Sequence, residues 1–232
     1  MISRDGDPVQ RIVLAMPPEF RFEAGQYLLI EHPEGAIPLS IASSPRHLPA
    51  LHLHYRSTPG MSEAARMDSL LDGSSTLTVT GPAGEVTLRK PLRGPLLMVA
   101  GGTGMAQIVA LLDDLCGEAS PPAATVLWCA DSEADLYARS DLERLRWKGL
   151  EVHVRVDATR SRANAGMAWL RNEGGRFAGS DAQIVLAGSP AFVYAACDAL
   201  EAAGVPKANV ASDVFSYAPR EGSGSGGSSR SA

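Results

Sequence analysis

The stretch PLLMVAGGTGMAQ, Pro95 to Gln107, decides how this chain is read. An apolar run of strand length discharges into Gly101, Gly102 and Gly104, with Thr103 between them, and an amphipathic pattern then resumes. That is the layout of a nucleotide-binding strand-turn-helix. Glycines let the backbone approach a pyrophosphate without Cβ clashes, and the N–H groups opening the next helix present a partial positive charge to the anion. Glycine turns after strands also serve plain tight packing, so the surrounding sequence has to carry part of the argument.

Downstream, the segments LLMVA, AQIVALLDDLCGE, TVLWCA, EADLYARSDLERLRW, VHVRVD, MAWLRN, AQIVLAG and PAFVYAACDALEAAG alternate strand and helix patterns. That alternation specifies a parallel sheet with covering helices. Upstream, from Val9 to Arg89, six short segments separated by Pro/Gly turns (VQRIVLAM, QYLLIEH, PLSIASS, LHLHYRS, STLTVTG and EVTLR) predict a small antiparallel β-barrel. Between the fourth and fifth, MSEAARMDSLL, Met61 to Leu71, reads as a helix capping the barrel. The boundary falls at KPLRGP, which gives a barrel domain over 1–93 and an α/β domain over 94–218; the Gly/Ser-rich remainder, 219–232, reads as a flexible tail.

A length of 232 residues exceeds a single domain of about 100–150 residues and suits two compact units. The net charge is −5, with Lys and Arg scattered, so no basic footprint for nucleic acid exists. Cys116, Cys129 and Cys197 form no C-x-x-C pattern and read as buried thiols in a reducing compartment. An iron–sulfur cluster needs four closely grouped thiolates, so any electron carrier here is organic. Neither a signal peptide nor a run of about 18 apolar residues stands out, and the expectation is a soluble, cytoplasmic protein without a membrane span.

Ser132 and Asp135 in DSEADLY have capping-box spacing. Asp131 and Glu133 follow the second strand of the α/β unit, where an acid can accept from a ribose 2′-hydroxyl and repel a 2′-phosphate, which leans toward NADH. Arg160 and Arg162 after the third strand can instead receive a 2′-phosphate, so NADH against NADPH stays open. His52, His54 and Arg56 share one face of a strand. With no third ligand at suitable spacing, a polar sheet face is preferred there to a metal site. LAGSPAFVY places Gly188, Ser189 and Pro190 at a second strand-to-helix turn. Alone this is ordinary turn chemistry; two such turns in one sheet make a split ligand site. No G-x-S-x-G elbow or Cys/His nucleophile arrangement is present, which counts against a hydrolase.

Taken in order, FEAGQYLLI (Phe22–Ile30), IPLSIASSP (Ile37–Pro45), LTVTGPAGEVTL (Leu77–Leu88), AGGTGMAQ, DLYARSDLERL, LAGSP and DVFSY (Asp213–Tyr217) resemble the ferredoxin-NADP⁺ reductase superfamily. The resemblance covers about Val9 to Tyr217 and is nearest to the single-module NAD(P)H:flavin oxidoreductase branch. It implies a flavin domain followed by a nicotinamide nucleotide domain. In the family, Arg-x-Tyr-Ser or Arg-Pro-Phe-Ser stands where this chain has Ile37, Pro38, Leu39 and Ser40. Ser40 keeps the implied catalytic role, a hydroxyl beside flavin N5. Ile37 cannot pair with a phosphate, and Leu39 offers only an apolar plane. A charge-assisted contact of about 1.5–3 kcal/mol is thus absent from the implied site, a weakening of roughly 10- to 150-fold.

The resemblance implies a flavin site from residues 38–41 and Ser43, Ile41 among them, with Gly60, Met61 and Ser62; Tyr55 and Arg56 lie on the neighbouring segment, where Arg56 can supply a replacement cation. It places NAD(P)H on Gly101 to Gly104 with Asp131, Gly188, Ser189 and Pro190. Phe215 and Tyr217 would line or cover the isoalloxazine, with core packing as the alternative. Many relatives with a bound flavin have Cys-Gly where this chain has Ala187-Gly188, and Gln107 replaces a family proline, which would relax the nicotinamide side. The expected function is an NAD(P)H-dependent flavin reductase passing hydride from NADH or NADPH to a weakly held FMN, FAD or riboflavin, with a flavin-dependent monooxygenase as one downstream partner. The alternatives are an electron-transfer reductase component with tightly bound FAD and a protein partner, and a non-catalytic nucleotide-binding module.

Overall fold

The computed structural model describes residues 2–5, 9–58, 60–73, 75–159 and 164–220. Arg160, Arg162 and positions 221–232 of the expected tail lie outside them. The N-terminal half runs β1 (Ile2–Asp5), β2 (Gln10–Ala15), β3 (Tyr27–Ile30), β4 (Ile37–Ser40), β5 (Ala50–Tyr55), α1 (Ser62–Gly73) and β6 (Val79–Ala83). These strands form two antiparallel three-stranded sheets, β1-β2-β5 and β4-β3-β6. The sheets meet where Ile41 bridges Leu53 and the Ala42 N–H donates to the His52 carbonyl at 2.7 Å.

Alternation of side chains sends Ile12, Leu28, Ile30, Leu51 and Leu53 into one core. The amphipathic helix α1 lays Ala64, Met67 and Leu71 inward at helical spacing, Met67 and Leu71 reaching that core. Each such apolar side chain stabilises the fold by about 1.5–3 kcal/mol relative to exposure. Six strands were expected and one of them was misplaced: EVTLR, 85–89, is not a strand, and β1 stands in the set instead. The reason is that this segment faces the other half. Val86 is buried in the C-terminal core, and the Arg89 N–H and carbonyl are both bonded by the Gln183 side chain at 2.8 Å.

The C-terminal half runs β7 (Leu96–Gly101), α2 (Met105–Cys116), β8 (Ala124–Ala130), α3 (Arg139–Arg144), β9 (Leu150–Val156), α4 (Ala165–Glu173), β10 (Gln183–Ala187), α5 (Pro190–Ala202), β11 (Val210–Ala211) and α6 (Val214–Tyr217). The sheet is parallel in the order β11-β10-β7-β8-β9. Its inner strands β7, β8 and β10 are buried on both faces, which is why they read as unbroken apolar runs. Helix α2 packs on one face and α5 on the other, so the crossovers from β7 and β10 diverge and leave a crevice at their carboxyl ends. The single helix expected over EADLYARSDLERLRW is instead a 3-10 turn at Glu133–Asp135 followed by α3. Leu136 leaves the helical region between them and directs Tyr137 toward the first half.

The polar face of β5 is not solvated. Arg11 and His54 are cross-strand partners, and both reach Tyr137: Arg11 Nη2 donates to its carbonyl, and its hydroxyl lies 3.2 Å from His54 Nδ1. Asp113 of α2, almost wholly buried, accepts from the Ser44 N–H at 2.9 Å and pairs with Arg46 at 2.5 Å and His47 at 2.8 Å. Burial alone would raise the Asp113 pKa, but the Ser44 N–H, the Arg46 guanidinium and the neighbouring His47 overcome it and hold the carboxyl below its usual range. Cys116, Cys129 and Cys197 are unpaired; burial pushes the Cys129 thiol up to about 12, which leaves it inert. Among the described residues no helix is long and apolar enough to cross a membrane, and no cluster of metal-ligating side chains occurs.

Candidate functional site

The glycine turn lies where β7 meets the crevice. Gly101 and Gly104 are required by packing inside the protein: a Cβ on Gly101 would fall 2.7 Å from the Phe192 ring, and one on Gly104 would overlap the Ala187 carbonyl. Gly102 differs. It has φ +53°, a left-handed conformation that disfavours other residues, and a Cβ there would meet open space. Its carbonyl is turned inward, accepting from the Met105 N–H and from the indole Nε1 of fully buried Trp128 at 3.2 Å. The turn is anchored from within and open outside, at the start of α2, an arrangement that accommodates a pyrophosphate.

The second turn completes the crevice. Gly188 closes β10 with φ +151°, Ser189 caps α5 by accepting from the Phe192 N–H at 3.4 Å, and Pro190 is its first residue. Phe192 packs against both Gly101 and Gly188 and joins the two turns. Asp131 follows directly on the end of β8 and is exposed. Ser132 and Asp135 make the expected capping box.

On the other side, Ser40 is half-buried at the end of β4 and pairs with Tyr27 of β3. The Tyr27 ring lies against Gly84, which also abuts Asp213 Oδ1. Asp213 opens α6, so the strand ends and the C-terminal turn converge. There Phe215 and Tyr217 leave 37% and 62% of their surface exposed. The Tyr194 ring lies 6.0 Å from that of Phe215, tilted by 39°. Burial raises the Tyr217 pKa, with Asp213, Tyr194 and Tyr27 adding to the effect. The exposed ring of Tyr217, near Tyr27 whose strand partner is Ser40, suits a flat aromatic ligand.

Several other candidate residues are held elsewhere. Tyr55 is buried in the N-terminal core, its hydroxyl 3.0 Å from both the Ala64 carbonyl and Asp68. Ile37 and Ile41 are buried in the same core and Leu39 packs against it, leaving Pro38 exposed on the strand's opposite side. Ser43 is buried and accepts from the His52 N–H at 3.1 Å. Arg56 pairs with Asp135 at 2.6 Å, across the two halves. Gly60 (φ +85°), Met61 and Ser62 form an exposed approach to α1. Gln107 does not relax its surroundings: Nε2 donates to the Gly25 carbonyl at 2.6 Å and to Asp213 at 2.8 Å. Trp128, Tyr137, Phe192 and Asp213 are further contributors that sequence reasoning passed over. The one local signal was Gln107 itself, a polar residue in the first turn of an otherwise apolar helix.

Residues 98–198 match the oxidoreductase NAD-binding domain family. The chain is 31% identical over 220 residues to reductase component 1 of terephthalate 1,2-dioxygenase from Comamonas sp, covering 90% of this chain and 64% of that protein. It is 31% identical over 138 residues to the NAD(P)H-flavin reductase of Vibrio harveyi, covering 57% of this chain and 58% of that one. The chain therefore spans somewhat less than two thirds of the length of these relatives. Among solved structures, the ferredoxin-NADP⁺ reductase from Plasmodium falciparum superposes with a TM-score of 0.72 at 14% identity, covering 88% of this chain and 87% of that one. The family match runs from β7 into α5, so the C-terminal half is similar to oxidoreductase NAD-binding domains, and the two-part architecture has the fold of the ferredoxin-NADP⁺ reductase from Plasmodium falciparum.

Proposed function

We propose that the protein is an NAD(P)H-dependent flavin reductase that holds its flavin weakly and releases it reduced. The observation that carries this reading is the absence of a charge at the implied phosphate position: Ile37 is buried in the N-terminal core, and the cation Arg56 is bound to Asp135. Without a charge-assisted contact there, affinity falls by roughly 10- to 150-fold, which favours exchange over permanent residence. The bound nucleotides supply the redox chemistry themselves, a hydride from the nicotinamide and an acceptor ring in the flavin.

The chain's own residues bind and orient. The open outer face of Gly102 and the N–H groups after it receive the dinucleotide, Phe192 floors the crevice, Ser40 offers a hydroxyl at the ring edge, and Phe215 and Tyr217 give it an apolar plane. The acid Asp131 at the end of β8 favours NADH, since it accepts from a 2′-hydroxyl and repels a 2′-phosphate. A reductase component serving an oxygenase is the second reading, favoured by the greater share of this chain, 90% against 57%, that aligns with the dioxygenase reductase. Gel filtration of protein saturated with FMN separates the two: the first reading expects the flavin to be lost, the second expects one equivalent to remain.

A further inference from the structure

Trp128 lies at the middle of a buried polar relay that joins the two halves to the glycine turn. Its side chain is fully buried in β8, yet its indole N–H donates to the Gly102 carbonyl at 3.2 Å. The ring is held edge-on by Tyr137, with centroids 5.7 Å apart at 88°. Tyr137 in turn meets His54 in a second edge-on contact at 5.3 Å, with its hydroxyl 3.2 Å from Nδ1, and its carbonyl accepts from Arg11. The other two tryptophans have other partners: Trp147 donates to the Pro122 carbonyl and Trp169 packs on His153.

The consequence follows from peptide geometry. In a trans peptide the C=O and the N–H point in opposite directions. A Gly102 carbonyl drawn inward by Trp128 therefore turns the Thr103 N–H outward, on the open side of the turn. Gly102, with no Cβ to restrict it, has the freest backbone in the motif, so this peptide has the most to gain from an anchor. We propose that Trp128 is a positioning residue for the nicotinamide nucleotide, fixing the Gly102–Thr103 peptide with its N–H presented to the pyrophosphate. The proposal rests on the dinucleotide reading of the turn. It assigns Trp128 no contact with the ligand and no part in flavin binding.

The test uses Trp128→Phe, which keeps an aromatic plate against Tyr137 and removes only the N–H. Loss of one such hydrogen bond should raise the KM for NADH and the Kd for ADP-ribose by roughly 3- to 10-fold. The KM for riboflavin should stay unchanged, a split that a general loss of structure would not give. A second measurement needs no variant at position 128. In the wild-type chain, ADP-ribose should shift one of the three tryptophan indole N–H resonances, assigned to Trp128 by its persistence in Trp147→Phe and Trp169→Phe, and riboflavin should not. A folded Trp128→Phe with wild-type affinity for ADP-ribose, or an indole resonance unmoved at saturation, overturns the positioning role while leaving the nucleotide site intact. Failure of the wild type to bind ADP-ribose at all would instead remove the dinucleotide reading, and this proposal with it.

Discussion

The side-chain amide of Gln107 donates to Asp213 Oδ2 at 2.8 Å while also holding the Gly25 carbonyl at 2.6 Å. One buried residue in the first turn of α2 thereby fastens a loop of the N-terminal half to the turn that opens α6. Gln107→Leu keeps the volume and removes both donors. The expected result is a loss of about 1–3 kcal/mol in urea denaturation, because two acceptors are left in a poorly hydrated place. The Asp213 carboxyl should also titrate higher: burial already raises its pKa, and Gln107 is what opposes the rise.

Arg56 is engaged by Asp135 across the two halves at 2.6 Å. Arg56→Ala should therefore change the KM for FMN and for riboflavin by the same factor. The stability cost should be about 1 kcal/mol, since both partners retain some exposure and solvent screens the pair. An effect confined to FMN would show that the guanidinium serves the phosphate after all.

Acid should weaken the joint between the halves. His54 titrates at about 4, lowered chiefly by burial and next by Arg11, with His52 adding and Asp141 opposing. Its native pKa lies below the unfolded value of 6.5, so the unfolded chain takes up the proton first as pH falls. This contribution is complete above pH 6.5 and is lost progressively down to about pH 4, amounting to about 3 kcal/mol at most. Urea midpoints measured between pH 7.5 and 4.5, values chosen as roughly spanning that window, should fall more steeply for the wild type than for His54→Asn.

The glycines should separate by role. Gly104→Ala places a methyl on the Ala187 carbonyl and should cost about 3 kcal/mol of stability. Gly102→Ala meets no atoms and should cost only about 1–2 kcal/mol for its left-handed backbone, while weakening ADP-ribose binding. Thermal melting and calorimetric titration of the two variants check the contrast.

The parallel sheet was legible because β7, β8 and β10 are apolar on both faces and each is followed by a helical period or a glycine turn. The antiparallel strands were legible from alternation, except where a segment's partner lay in the other half: Val86 looks like a strand residue by its neighbours, but it is buried in the C-terminal core. The same cause hid Tyr137 and broke the expected helix around it. The polar face of β5 looked solvated for lack of any local sign that Tyr137 and Asp141 would cover it. Of the site, the two glycine turns and Ser40 were readable as local patterns. Trp128 and the Gln107–Asp213 contact depend on residues about 26 and 106 positions apart, a separation at which no local period operates.

Weak flavin binding is tested by the initial rate of NADH and NADPH oxidation by flavin-stripped protein, with riboflavin and then FMN titrated under air. A flavin that exchanges gives a hyperbolic rise that saturates far above the enzyme concentration, with riboflavin and FMN similar. A plateau at one equivalent of flavin, or turnover only after a one-electron acceptor is added, would contradict it and favour a resident flavin.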